Sequence, residues 1–191
     1  MRATAACGAV RLAADGFVRT WRSTRAERAA DYPCDRWLDE PDEALFRAAD
    51  VDAPAAVLFR WLCQLRVAPY SYDWIDNFGR PSPRRLTPGL DALAVGQRVM
   101  TFFEIVEFER DRHLTLRTRG MGSWLGALAA SYVVVPRGAR SCRLVVKLVV
   151  RYPAGPLGWA ERWILPPGDL VMMRKQILTF KRLAEESVRG D

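Results

Sequence analysis

The strongest constraint on the fold is a helical pattern that closes the sequence. Pro166-Pro167-Gly168-Asp169 precedes a run to about Ser187 that contains neither glycine nor proline. Gly168 or Asp169 would cap a helix of this length, which is about 30 Å at ~1.5 Å per residue and can cross a small sheet. Apolar residues recur along the run every three or four positions, as on one helix face: Leu170, Met173, Ile177, Phe180 and Ala184.

The sequence between Gln97 and Tyr152 instead alternates with a period of two, which predicts antiparallel strands. The expected strands are 98–109, 113–119, 127–135 and 141–152, with turns at 110–112 and 136–139. In the last strand Arg143, Lys147 and Arg151 share one parity, so we expect the other parity to face inward. That inward set is Cys142, Leu144, Val146, Leu148 and Val150.

The first half of the sequence contains one strand and one well-marked helix. The run 44–51 predicts the strand, and Asp52-Ala53-Pro54 supplies a cap and a first-turn proline for a helix that ends near Leu65. The expected buried face of this helix is Val57, Leu58, Trp61, Leu62 and Leu65. The next stretch, PYSYDWIDNFGRPSPRRLTPG, predicts a short helix over 73–78 and a long irregular loop.

Residues 1–43 show no sustained periodicity, and we interpret them as an extension of a domain that covers 44–188. Turn residues interrupt the extension at Tyr32-Pro33-Cys34-Asp35 and at Glu40-Pro41-Asp42. A short helix over 20–30 has favourable propensity but few apolar positions to bury.

The composition is that of a globular protein, since half of the 191 residues are hydrophobic. This length suits a single domain with an extension. Lys and Arg outnumber Asp and Glu by 29 to 22, but they form no basic stripe interleaved with aromatic residues. We therefore expect no nucleic-acid partner.

The cysteines and the apolar runs indicate the cellular compartment. Cys7, Cys34, Cys63 and Cys142 are too far apart in sequence for the close pairs of zinc or redox sites, so we expect reduced, buried thiols. No apolar run reaches the ~18 to 20 residues that span a bilayer, and the N-terminus lacks the apolar core of a secretory signal. A cytoplasmic location is the expectation.

The order of these elements resembles that of the START-like superfamily, also called SRPBCC or Bet v 1-like, which includes polyketide cyclases. The local likenesses are VDAPAAVLFRWLCQL, PYSYDWIDN, which is similar to an actinobacterial-type subgroup, and PPGDLVMMRKQILTFKRLAEE. The resemblance spans Ala44 to Glu186. It implies an α+β helix-grip fold, in which a curved antiparallel β-sheet wraps around the long C-terminal helix. In this superfamily the sheet and the helix enclose a cavity for lipids, polyketides or other apolar molecules.

If such a cavity exists here, the inward-facing residues of the strands and of the last helix form its wall. They are Phe103, Ile105, Leu114, Leu116, Val133, Leu144, Val146, Leu148, Met173, Ile177 and Phe180. The alternative is a plain packed core. Periodicity shows which face is buried and does not show whether a void is left.

Aromatic residues of the loop are candidates for the mouth of that cavity. Tyr70, Tyr72 and Trp74 occupy a stretch where smaller polar residues would satisfy ordinary turns, and side chains with a polar tip suit a wet opening. They could equally plug the open end of the sheet as core.

Two polar residues of the predicted strands are of interest. Glu104 lies among Phe102, Phe103 and Ile105. If Glu104 points inward, it could anchor a polar ligand group or act as a base with a raised pKa; otherwise it lies on the exposed face. His113 is the only histidine, which excludes histidine-rich metal sites, and its position is typical of a structural or exposed residue.

An apolar stretch with Trp159, Trp163, Ile164 and Leu165 leads into the last helix. It could dip transiently into a membrane during lipid exchange. A loop folded over the pocket is the expectation.

These observations favour a binding or carrier protein for a small apolar ligand, lipid-like or polyketide-like, with no cofactor or metal. Two alternatives stay open. One is an enzyme of the aromatase or cyclase kind, in which Tyr70, Tyr72, Asp73 and Glu104 would be the candidates for proton transfer. The other is an interaction domain whose N-terminal arm meets a partner. The sequence has no Gly-rich phosphate loop, Gly-x-Ser-x-Gly elbow or His-Glu-x-x-His motif, which disfavours the common nucleotide, hydrolase and metalloprotease functions.

Overall fold

The computed structural model describes residues 16–100, 102–119 and 126–190, and in these ranges it contains a six-stranded antiparallel sheet. The strands are β1 (Glu43–Val51), β2 (Arg98–Val99), β3 (Phe103–Glu109), β4 (His113–Thr118), β5 (Ala127–Pro136) and β6 (Cys142–Arg151). Their order across the sheet is β1-β6-β5-β4-β3-β2, so that the first strand pairs with the last. The helices are α1 (Phe17–Thr20), α2 (Arg25–Ala29), α3 (Ala55–Cys63), α4 (Asp73–Asp76) and α5 (Pro156–Arg189), with 3-10 turns at Pro33–Arg36 and Gln64–Arg66. The predicted α+β helix-grip architecture is confirmed.

The helices α3 and α5 pack on one face of the sheet, named the inner face here, and build the main core. The predicted face of α3 is confirmed, because four of its five residues are buried in this core and Val57 packs against it. Ile177 and Phe180 of α5 are fully buried in the same core. The predicted inward set of β6, from Cys142 to Val150, also belongs to it.

The helix α5 begins much earlier than the sequence predicts. Pro166-Pro167-Gly168-Asp169 indicates a helix start, because proline removes a backbone donor and glycine is a poor helix former. The observed helix begins at Pro156, whose place in the first turn is also a start signal, and it continues through both prolines over 34 residues. The expected loop at Trp159 to Leu165 is therefore wrong, since these residues form the first turns of α5.

The predicted strand 98–109 is in fact two strands that pair with each other. Val99 of β2 lies opposite Phe103 of β3, so the chain reverses between them. Met100 has a φ of 52°, a left-handed conformation that a continuous strand does not contain. The apolar alternation continues through the reversal, and for this reason the sequence pattern hides it.

An N-terminal segment, defined here as residues 16–42, begins beside β1, where Trp21 is buried in the main core, and continues onto the opposite or outer face of the sheet. Its Tyr32, Cys34 and Leu38 form a second core with outward-facing residues of β1, β5 and β6. The hydroxyl of Ser131 on β5 accepts a hydrogen bond from the Cys34 amide at 2.8 Å and lies 2.9 Å from the hydroxyl of Thr115. The sheet is therefore covered on both faces.

Arg143 on β6 links the N-terminal segment to the sheet through ion pairs and hydrogen bonds. Its buried guanidinium donates to Glu27 of α2 at 2.5 Å, to Asp50 of β1 at 2.9 Å and to the carbonyl of Arg22 at 2.8 Å. Burial works to raise the pKa of Glu27, but the hydrogen bonds from Arg143 and Thr24 and the charge of Arg143 together outweigh it, so the pKa is lowered. Glu27 is therefore held as a carboxylate on the outer face.

The cysteine prediction is confirmed where the structure describes these residues. Cys34, Cys63 and Cys142 are buried free thiols, whereas Cys7 lies outside the described ranges. Burial raises their pKa values to about 11, 12 and 11, so they stay protonated at neutral pH. Within the described part of the chain, no helix combines the length and the apolar character needed to cross a bilayer.

Candidate functional site

Most of the predicted wall residues do meet on the inner face of the sheet. Those buried in the main core are Ile105, Leu114, Leu116, Leu144, Val146, Leu148, Ile177 and Phe180. Phe103 and Met173 are partly buried and pack against the same core. Their shared location is therefore as expected, and contact with a ligand stays a prediction.

Two predicted ligand-binding residues, Val133 of the wall and the polar Glu104, lie on the outer face instead. Val133 packs against the second core, and Tyr132 takes the inward position on β5. Both faces of β5 are largely apolar, so alternation carries no signal of which parity faces inward.

Glu104 pairs with Arg117 of β4 at 3.0 Å, and that arginine lies over the ring of Trp37 in the N-terminal segment. The hypothesis of an inward Glu104 is therefore wrong.

The three aromatic residues expected at the mouth occupy different environments. Tyr70 is buried, with its ring centroid 6.2 Å from that of Trp61 and 5.1 Å from that of Phe180, which is the core position of the alternative interpretation. Tyr72 is half-buried where α4 begins, and Trp74 of α4 is 74% exposed. Glu104 and Tyr70 lie on opposite faces of the sheet, so the four proton-transfer candidates do not form one site.

Four polar side chains that the sequence pattern does not identify as a site lie between the sheet and α5; three are buried, and that of Asp169 is 12% exposed. We name Arg47, Tyr132, Asp169 and Gln176 the inner polar cluster. Arg47 of β1 is only 1% exposed, and its Nη2 lies 2.7 Å from Oδ2 of Asp169 on α5. Its Nη1 also donates to the carbonyl of Phe46 at 2.9 Å. A charge buried this deeply requires such partners, because its desolvation is costly.

The other half of the cluster is a neutral hydrogen-bonded chain. The hydroxyl of Tyr132 donates to Oε1 of Gln176 at 2.8 Å. Nε2 of Gln176 in turn donates to the carbonyl of Pro69 at 2.7 Å. The chain therefore connects β5, α5 and the start of the aromatic loop.

Strand register and helix period explain why these four residues meet. Arg47 and Tyr132 both lie opposite Val146, so the three side chains form a row across β1, β6 and β5. Asp169 and Gln176 are seven residues apart on α5, which places them two turns apart on one helix face. Met173 lies between them, with its sulfur 3.8 Å from the hydroxyl of Tyr132.

The surroundings shift the ionisation of the cluster. Burial raises the pKa of Asp169 to about 6, although Arg47 acts in the opposite direction. Burial also raises the pKa of Tyr132, so this hydroxyl stays protonated. At neutral pH the cluster thus offers a guanidinium cation, a phenol donor and a carboxyl group that titrates close to neutrality.

A sequence signal for part of this cluster was present. Arg47 shares the parity of Leu45 and Ala49, so a charge on the inward side of β1 follows from strand alternation. The proline and glycine residues before Asp169 indicate a helix cap, which conceals its pairing with Arg47. The inward assignment of Val133 likewise conceals Tyr132.

Four apolar residues that pack against the main core are only partly buried, namely Phe103, Leu128, Leu165 and Met173. Among the described residues, no three His, Cys, Asp or Glu side chains are grouped so that they could hold a metal ion.

A separate cleft of about 520 Å³ opens on the outer face. Tyr32, His113, Val133 and Val135 contribute to its lining, between α2 and the ends of β4 and β5. His113 is partly buried there, and burial lowers its pKa despite the nearby carboxylate of Glu107. The cleft holds no charged side chain as enclosed as Arg47.

Comparison with known proteins identifies the fold. No protein-family model and no curated protein matches the sequence. The crystal structure of the Zhui aromatase/cyclase from Streptomyces sp. R1128 matches with a TM-score of 0.53 and 13% identity, over 78% of this chain and 96% of that one. A hypothetical protein of Helicobacter pylori matches with a TM-score of 0.54 and 14% identity, over 82% and 96%. At these identities the likeness establishes the fold alone, and this chain shares the helix-grip fold of these structures.

Proposed function

We propose that this protein binds a small, mainly apolar molecule with one anionic or polar group, between the inner face of the sheet and α5. The observation that carries the proposal is the Arg47–Asp169 ion pair, with Tyr132 in the same row, inside an otherwise apolar interior. Apolar residues of similar volume commonly stabilise a core as well as a buried ion pair does. Recognition of a polar group therefore explains the pair better than stability does.

Each part of the site has a separate task in this proposal. The partly buried Phe103, Leu128 and Met173 supply apolar contact, which provides most of the affinity in small-molecule sites. A ligand carboxylate would pair with Arg47 in place of Asp169, whose pKa of about 6 allows it to take up a proton in exchange. The hydroxyl of Tyr132 would orient the ligand as a hydrogen-bond donor.

The fold supports a polyketide-like or lipid-like ligand. One of the similar structures is an aromatase/cyclase, and its fold places a sheet and a long helix around a common interior, as here. A carrier function needs only binding and release. The inner polar cluster supports this carrier function without requiring an additional catalytic group.

Two dyes that differ in one group test the proposal. 1-Anilinonaphthalene-8-sulfonate and N-phenyl-1-naphthylamine share their aromatic skeleton, and only the first carries an anion. We expect the wild-type protein to prefer the sulfonate dye, and the double variant Arg47→Met/Asp169→Met to lose this preference by about tenfold while it still binds the neutral dye. Native mass spectrometry after mild purification would show a co-purified ligand.

Three results would overturn the proposal. One is that neither dye binds and the native mass equals that of the chain alone. Another is an unchanged preference in the double variant, which would separate binding from the inner polar cluster. The third is loss of binding in Val135→Arg, because Val135 lines the outer cleft and not the inner face.

A second candidate function is catalysis of the cyclase type. The observation that favours it is a carboxyl group of Asp169 with a pKa of about 6 in the same cluster as the hydroxyl of Tyr132, as general acid–base catalysis requires. A linear poly-β-ketone analogue should then give an aromatic product faster than it does in buffer. Asp169→Asn should abolish this turnover and keep dye binding. Equal rates with and without the protein would reject catalysis and leave the carrier function standing.

A further inference from the structure

The first half of α5 carries an apolar surface that takes no part in the inner face. Leu157, Ile164 and Val171 recur every seven residues, and Trp159, Trp163 and Pro167 recur every four beside them. We name these six residues the apolar face of α5. Trp159 is 68% exposed, and Trp163 and Ile164 are each 70% exposed. Large apolar side chains are rarely so exposed in groups on the surface of a monomer.

The charged residues of the same stretch are paired or buried within the chain. Arg162 pairs with Asp42 of the N-terminal segment at 2.6 Å, and Asp169 pairs with Arg47. The carboxylate oxygens of Glu161 are buried. Arg162 is nevertheless about half-exposed beside Trp159 and Trp163.

The size of the apolar face matches a protein interface. Its six side chains expose on the order of 600 Å² of apolar surface, close to the ~800 Å² that each partner contributes to a standard interface. Tryptophan is also among the residues that contribute most binding free energy in such interfaces. A complementary protein surface would therefore cover the face almost completely.

The surface next to the tryptophans is a recess. Trp159 and Trp163 border a cleft of about 290 Å³ whose other side is formed by Tyr152 and by two ion pairs, Arg162 with Asp42 and Arg19 with Glu43. These charges are already neutralised within the chain. A ridge of tryptophans beside a recess can be self-complementary across a twofold axis, because each copy supplies both parts.

We infer that a second copy of this chain covers the apolar face of α5, with the two helices antiparallel across a twofold axis. Ile164 is the midpoint of the face and would lie near its own copy, while Trp159 and Trp163 would fill the recess of the partner. A lipid surface is the alternative occupant, and it would leave the chain monomeric in solution. The inference does not depend on the proposed ligand.

Light scattering after size-exclusion chromatography, repeated over a range of protein concentrations, tests the inference with matched variants. We expect the wild-type chain to be a dimer and Trp163→Arg to be a monomer with an unchanged circular dichroism spectrum. Trp74→Arg is the control, since Trp74 is as exposed as Trp163 but lies on α4. The control should remain a dimer.

Cross-linking gives a second test that does not depend on weakening the contact. Ile164→Cys in a Cys7→Ser background should form an intermolecular disulfide on mild oxidation, because the remaining cysteines are buried. Val188→Cys, near the other end of α5, should not. A wild-type chain that is monomeric at all concentrations would overturn the inference, whether or not it binds lipid vesicles through these tryptophans. Equal cross-linking of the two cysteine variants would overturn it as well.

Discussion

Arg47 shows how far a single residue departs from what its position in a strand suggests. It occupies an inward position of β1, where Leu45 and Ala49 are ordinary core residues. Its charge survives there because Asp169 lies 2.7 Å away and the carbonyl of Phe46 accepts a hydrogen bond. The ion pair also holds α5 on the sheet, so a ligand that competes for Arg47 would change the contact between helix and sheet.

Removal of one partner should be far more harmful than removal of both. Arg47→Met leaves the carboxylate of Asp169 buried without its cation, and we expect it to lower the free energy of unfolding by about 3 to 5 kcal/mol. Arg47→Met/Asp169→Met removes both charges and should lie within about 1 to 2 kcal/mol of the wild type. Urea denaturation measures both values. Equal losses in the two variants would show that the pair acts through packing and not through charge.

The pKa of Asp169 predicts a specific dependence of stability on pH. Burial raises this pKa from 3.8 to about 6, so the folded state binds a proton more tightly than the unfolded state does. The resulting stabilisation is complete below the unfolded pKa and is lost as the pH rises through about 6. Relative to Asp169→Asn, we expect the wild type to gain stability as the pH falls from 7 to 4. A constant difference between the two unfolding free energies over this range would contradict the shifted pKa.

Among the elements, α5 differs most from its sequence prediction. Its first turn contacts the preceding chain at Gly158, where a Cβ atom would lie 1.7 Å from the carbonyl oxygen of Pro153. The helix then continues through Pro166, Pro167 and Gly168, which are weak helix formers. The start at Pro156 therefore depends on the absence of a side chain at position 158.

Two glycines of α5 should respond in opposite ways to alanine. Gly158→Ala forces the backbone of Pro153 to move, and we expect a loss of about 1 to 3 kcal/mol in unfolding free energy. Gly168→Ala meets no atom within 4 Å and should raise stability by about 0.5 to 1 kcal/mol, because alanine is the better helix former. Thermal and urea unfolding give both values. A stabilising Gly158→Ala would show that the close contact with Pro153 is not maintained in solution.

On the scale of the whole molecule, the N-terminal segment changes the architecture from one covered face to two. Phe46, Val145 and Val149 lie on the outer face beneath Tyr32 and Cys34. The few apolar residues of the segment are enough to bury them, because hydrogen bonds and ion pairs to β5 and β6 hold the segment in place. The segment is thus a structural part of the folded chain, whether or not it also meets a partner.

Deletion of residues 1–42 should therefore expose an apolar face of the sheet. We expect a lower melting temperature, increased binding of 1-anilinonaphthalene-8-sulfonate and a tendency to aggregate, since the outer core loses its cover. Arg36→Ala is the control, because it removes only a largely exposed ion pair with Glu107 and should change stability by less than about 1 kcal/mol. An unchanged melting temperature after the deletion would mean that the segment contributes little to the fold.

Much of the fold was predictable because its signals are local. Alternation in β6 and the three-and-four spacing after Asp169 each follow from the geometry of one element, and both predictions are confirmed. The reversal at Met100 was not predictable, because β2 and β3 have the same period and differ only in backbone conformation. The outward position of Val133 was not predictable either, because β5 is largely apolar on both faces.

The sequence by itself determined the element types, the inner side of most strands and the helix-grip order. The tertiary structure decided which distant side chains meet. Arg47 and Asp169 are 122 positions apart in the chain, and only the register of β1 on β6 and the placement of α5 across the inner face bring them together. Periodicity describes which way a side chain points from its own element. It contains no information about which charged residue of another element lies nearby. The candidate site consists of residues from different elements that the tertiary structure brings together.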